Sequence, residues 1–121
     1  MKDNKPLVWV PGALNELSKL PERAREEFQF ELEKVRLGGC PNHWKPLDEI
    51  ESGVREIRVR TKDGQFRTYF LQKYPEAVYV LGCAAKKKPA LSTCERRAIS
   101  HRYKSAVRNR STLPTNRGVS A

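Results

Sequence analysis

The sequence predicts an α+β fold in the order βααβββα. Two N-terminal helices pack on a small, mainly antiparallel sheet, and a basic helix closes the chain. Three observations point there. An apolar, β-branched segment, "PLVWV" at 6–10, precedes two segments with helical spacing of apolar residues. Three strand-like segments then follow one another between 54 and 83, the first two joined by Asp63-Gly64. Finally, Ser92-x-x-Glu95 is a capping-box pattern that opens the last helix.

Each element has its own reason. Residues 6–10 read as a short strand, and Pro11-Gly12 stops it. In "ALNELSKL", Ala13, Leu14 and Leu17 fall at helical spacing, so a short helix ends near Leu20. Pro21 and Glu22 suit the first turn of a second helix. Along it Ala24, Phe28, Leu32 and Val35 make one narrow stripe, while Phe30 and Leu37 lie on a separate side. Gly38-Gly39 ends this helix. Residues 40–53 read as a loop, with Trp44 and Leu47 pinning it to the body.

Strands are expected at 54–61, 65–73 and 77–83. "AVYVLGC" is apolar on both sides, which predicts the central strand of the sheet, covered on both faces. On the last helix Ile99, Tyr103 and Ala106 form the apolar stripe. Arg96, Arg97, His101, Lys104 and Arg108 cluster on a different side. One domain is expected over 1–109, with 110–121 a flexible basic tail and all helices on one sheet face.

The formal net charge is +10 over 121 residues, and it is unevenly placed. Residues 1–50 hold 8 Lys/Arg against 9 Asp/Glu, whereas residues 51–121 hold 16 against 5. An anionic partner for the second half is implied, with nucleic acid first and an acidic protein second. No apolar run is long enough for a membrane span, and the start lacks the apolar core of a signal peptide, so a cytoplasmic protein is expected. Cys40, Cys83 and Cys94 are an odd count and read as free thiols. Cys40-Pro-Asn-His43 has the spacing of half a zinc site, but no second pair follows, so no metal and no cofactor are expected.

The hairpin concentrates the charge. With Asp63-Gly64 as a two-residue turn, Arg60 is expected opposite Arg67, Arg58 opposite Tyr69, and Glu56 opposite Leu71. Ile57, Val59 and Phe70 then face the core, and Arg58, Arg60, Arg67 and Tyr69 share the other face. Opposed like charges cost up to about 1 kcal/mol. Two readings stand evenly: a polyanion site, or a solvated strand face with Glu56 as salt-bridge partner.

In order and spacing, several segments resemble the RelE/ParE superfamily of toxins from bacterial toxin–antitoxin systems, looking closest to its HigB-like, phage-derived branch. They are "PLVWV", "LPERAREEFQFELEKVRLGG", "KPL" at 45–47, "VREIRVRTKDGQFRTYF", "AVYVLGCAAKKK" and the closing basic helix. The resemblance runs from about Pro6 to Arg108. It implies a RelE-like fold and a metal-independent endoribonuclease that cleaves messenger RNA, usually on the ribosome, and so inhibits translation. It also implies a cognate antitoxin, expected to be a helix-turn-helix protein. In this chemistry the 2′-OH attacks the adjacent phosphorus.

By that resemblance Arg67 falls to the scissile phosphate and Arg58 to phosphate binding. Lys86 or Lys87 acts as acid or base, or holds a neighbouring phosphate. Lys45, Arg60, Tyr69, Lys88, Arg97 and Lys104 contact RNA, and His43 is a second-rank catalytic candidate. The chain departs from the pattern at Ala84, where relatives commonly carry an aromatic residue. The alternative is a non-cleaving member of the fold, such as a gyrase-inhibiting ParE-like toxin, a decayed toxin or an RNA-binding protein.

Overall fold

The computed structural model describes residues 4–110. Strand β1 (Leu7–Trp9) leads into helices α1 (Ala13–Ser18) and α2 (Glu22–Arg36). Strands β2 (Trp44–Pro46), β3 (Val54–Thr61), β4 (Gly64–Leu71) and β5 (Val78–Ala85) follow, and helix α3 (Thr93–Arg108) comes last. The five strands form one sheet in the order β1-β5-β4-β3-β2, parallel only between β1 and β5.

The mixed α+β class agrees with the sequence, but the order βααβββα does not. Residues 40–53 were expected as a loop, and β2 forms inside them. Pro-rich "WKP" gives no periodic signal, yet its backbone bonds to β3 as a short edge strand. The strand 78–85 is interior and covered on both faces, but β4 occupies the middle of the sheet.

The helices also divide between the faces, instead of sharing one. Helices α1 and α2 cover one face through Leu17, Phe28, Leu32 and Val35, packed on Ile57, Val59, Phe66 and Phe70. Helix α3 covers part of the other through Ile99 and Ala106, packed with Tyr69, Leu71, Tyr79 and Leu81. The strand β5 is apolar on both sides because it serves both cores.

The hairpin turn falls one residue earlier than expected. Thr61 pairs with Gly64, so Lys62 and Asp63 form the turn, and the Thr61 hydroxyl accepts the Asp63 N–H at 3.0 Å. Gly64 has φ +131, a backbone that favours glycine just past the turn. Moving the turn by one residue changes every partner but leaves each side chain on its expected face. Arg58 therefore opposes Arg67, Glu56 opposes Tyr69, and Arg60 opposes Gln65.

β1 is too short to cover the far half of β5. An ion pair closes that edge instead. Glu16 of α1 accepts the Cys83 N–H at 3.1 Å, and Arg102 of α3 donates to Leu81 O at 3.0 Å. The two side chains meet at 2.7 and 2.8 Å. They cross β5 at Gly82, where a Cβ would lie 2.9 Å from both. A bulge between the β4 pairs of Tyr69 and Phe70 puts Gly82 at this crossing.

Candidate nucleic-acid interface

Sheet register alone assembles a polar surface on the α3 side. Three rows cross it. The first runs from Lys86, whose N–H donates to Gln65 O at 2.7 Å, through Gln65 to Arg60. The second holds Ala84, Arg67 and Arg58, and reaches His43, whose carbonyl accepts the Arg58 N–H at 2.9 Å. The third holds Gly82, Tyr69, Glu56 and Lys45.

Helix α3 and the segment before it divide this surface. Arg67 is 2% exposed and is the bulkiest fully buried side chain among the described residues. Its Nη2 donates to the carbonyls of Lys88 and Pro89 at 2.7 and 3.1 Å. Its Nε lies 3.2 Å from Glu56 Oε2, an ion contact without an aligned hydrogen bond. Glu95 of α3 stands 4.0 Å from its Nη1. Tyr69 is buried beside it, and burial pushes its hydroxyl up to about 12 against the pull of Arg67. In this arrangement Arg67 and Tyr69 are both covered, at 2% and 5% exposed, and neither is presented to solvent as Arg58 is.

The other half is open. Arg58 has 44% of its side chain exposed and bonds Glu56 Oε1 at 3.1 Å. Glu56 thus stands between the two opposed arginines and offsets their repulsion, the salt-bridge partner that one sequence reading expected, but Glu56 and Arg67 are buried and the face there is not solvated. Arg58, Arg60, His43 and Gln65 line one surface pocket of about 360 Å³. His43 is held from behind. The buried Glu31 carboxylate accepts both the Asn42 backbone N–H at 2.9 Å and the Asn42 amide at 3.1 Å.

Lys86 and Lys45 are half-buried at the two margins, and Lys87 and Lys88 are exposed. Ser92 and Glu95 form the expected capping box, at 2.7 and 3.1 Å, which starts α3 directly after this lysine segment. Arg97, His101, Lys104 and Arg108 are exposed along α3. Ala84 lines a small apolar cavity of about 90 Å³ under α3.

Two other expectations change. Trp44 is no packing residue: it is 37% exposed, with the Arg55 guanidinium 4.7 Å above its ring. Arg110, the first residue of the expected tail, is bound to Glu76 at 2.6 Å through two nitrogens, while residues 111–121 lie outside the described residues. Sequence reasoning missed Glu31 and Asn42, which set His43 in place. It also missed that Glu95 faces Arg67. Among the described residues no group of three His, Cys, Asp or Glu could hold a metal, and no helix is long and apolar enough to cross a membrane.

With this geometry in place, a family comparison is decisive. The model of the phage-derived Gp49-like family (DUF891) matches residues 15–104, well over half of the chain. The chain belongs to this family. The Gp49-like family lies within the RelE/ParE-like toxin superfamily, and membership fits a toxin of a toxin–antitoxin system. The match spans α2, the four strands β2 to β5 and most of α3, so it includes all three polar rows. A comparison with curated proteins finds no match.

Proposed function

We propose that this Gp49-like chain is the HigB-like toxin of a type II toxin–antitoxin system, a cytoplasmic endoribonuclease that cleaves messenger RNA on the ribosome. One observation carries the reading. His43, Arg58, Arg60 and Lys86 converge on one open sheet face, positioned by strand register and not by flexible loops alone. Fixed cations on a rigid sheet suit a phosphate whose charge rises during reaction.

The reaction has three needs. The 2′-OH gives up its proton as its oxygen bonds to phosphorus. The five-coordinate phosphorus is stabilised, and the bond to the 5′-oxygen breaks as that oxygen takes a proton. The products are a 2′,3′-cyclic phosphate and a 5′-hydroxyl. Arg58 and Arg60 supply the fixed charge. His43, Lys86 and Lys87 supply the groups able to move protons. Arg67 acts as a positioning residue: it holds Glu56, which orients Arg58, and it anchors the carbonyls of the lysine segment. Tyr69 packs beneath that anchor. Lys45, Lys88, Arg97 and Lys104 offer further contacts to RNA phosphates. The antitoxin, a helix-turn-helix protein, covers apolar surface such as Phe30, which is 60% exposed, and Leu37, two turns further on at the C-cap of α2.

The test is induction of the chain in a bacterial host, with translation followed by labelled amino-acid incorporation and message ends mapped. Arrest with new 5′-hydroxyl ends, lost in Arg58→Ala, is the expected result. Intact messages would remove the ribonuclease reading. Ala84 favours a second reading, a non-cleaving member of the fold. Growth arrest with intact messages and broken DNA would identify it as a gyrase inhibitor.

A further inference from the structure

The edge strand β2 turns two faces outward. His43 and Lys45 belong to the surface described above, and Trp44 lies on the opposite side. There Trp44 borders a cleft of about 610 Å³ at the far end of the sheet, a volume suited to a nucleotide. Lys5 and Arg55 bring positive charge to it against a single carboxylate, Asp48, whereas the lining residue Lys73 gives its ammonium to Ser52 O and the Tyr103 hydroxyl. That carboxylate is engaged by its own loop, since Asp48 Oδ1 accepts the Gly53 N–H at 2.8 Å.

The cations of the cleft keep donors to offer. Lys5 Nζ donates to Gln72 O at 2.8 Å, and Arg55 Nη1 donates to Gln72 Oε1 at 2.9 Å. An ammonium has three donors and a guanidinium five. Gln72 therefore holds both heads beside the cleft without exhausting them. Register puts Arg55 diagonally across from Trp44 on one face, and the guanidinium covers the indole. The pair makes a flat, partly exposed platform with positive charge at its margin. Stacking planes flanked by cations are the chemistry by which proteins hold a single-stranded nucleotide.

We propose that this cleft is a second nucleotide site, with a base stacked on the Trp44–Arg55 platform and its phosphate held by Lys5 and Arg55. The shared chemistry is a phosphorylated nucleoside, either free or as part of an RNA strand that wraps over the β2 edge from the Arg58 surface. The strand version rests on the RNA reading of that surface.

The test follows Trp44 fluorescence in the full chain, with two probes: adenosine 5′-monophosphate, and a single-stranded RNA of about 12 nucleotides. Quenching by the RNA alone assigns the site to a strand, and quenching by the mononucleotide too assigns it to a free nucleotide. RNA affinity is expected to fall about 10-fold in Trp44→Ala and to persist in Trp44→Phe. In Lys5→Gln and Arg55→Gln the logarithmic salt slope is expected to shrink by about 1 each. Lys5→Gln alters a surface ammonium, so it reports even if a Trp44 variant fails to fold.

Wild-type affinity and salt slope in all these variants, with weakened binding in Arg58→Ala, would overturn the second site and leave the Arg58 surface standing. Absence of RNA binding by the wild-type chain, with no quenching by the mononucleotide, would bring down both. Quenching by a poly-glutamate peptide and not by RNA would reassign the cleft to an acidic protein segment and overturn the proposal.

Discussion

Two arginines face each other across β3 and β4, and they lead different lives. Arg67 is sealed under α3, with Glu56 and two backbone carbonyls around its guanidinium. Arg58, its direct partner in the ladder, has nearly half its side chain in solvent. Residue type and register are the same, and only the cover differs. A row of cations on a sheet is therefore not one kind of site. Where α3 covers it the row is architecture, and where α3 stops it is open to solvent.

The largest expected effect breaks the covered half. Arg67→Ala removes a fully buried guanidinium and leaves the buried Glu56 carboxylate without one of its two cations, which costs about 3–5 kcal/mol in denaturant unfolding. Arg58→Ala removes a half-exposed guanidinium from a carboxylate that keeps Arg67 beside it, so it is expected to cost about 1 kcal/mol while abolishing the proposed toxicity. Equal stability losses in the two variants would erase the distinction.

Next comes the clamp that holds the cover down. Gly82→Ala drives a methyl into the Glu16–Arg102 pair and is expected to cost about 1–3 kcal/mol by thermal or chemical melting. A wild-type melt would show that α3 stays seated without that pair. Third is the start of the cover. Ser92→Ala removes the capping bond and costs about 1 kcal/mol. It should also raise hydrogen exchange at residues 86–95 before any change in β3.

The smallest effect lies at the far end of α3. Arg110 and the Tyr79 hydroxyl hold Glu76 down to about 2, against an ordinary 4.5. A carboxyl depressed in this way stabilises the fold above the ordinary value, and that contribution fades as pH falls from 4.5 toward 2. An acid titration of stability should therefore flatten in Glu76→Gln within that window. An unchanged profile would free the α3 end from Glu76.

This contrast was only half legible in the sequence. Period-2 alternation correctly placed Arg58, Arg60, Arg67 and Tyr69 on one face, because a turn displaced by one residue preserves faces while changing partners. The capping box was readable because its bonds are local. Burial of Arg67 was not, since its cover depends on which sheet face α3 chooses, a matter of chain path after residue 85. β2 was hidden for a similar reason: three residues with a proline have no period, and only pairing with β3 makes them a strand. His43 could be named from its residue type, but its placement depends on Glu31, 12 positions earlier.

The bonds from Arg67 to the Lys88 and Pro89 carbonyls carry one more consequence. They grip main chain, and every amino acid supplies the same oxygen there. Side chains at 86–89 can consequently be exchanged without loosening the anchor. Members of the Gp49-like family are free to vary these side chains while inheriting one unaltered attachment beneath them.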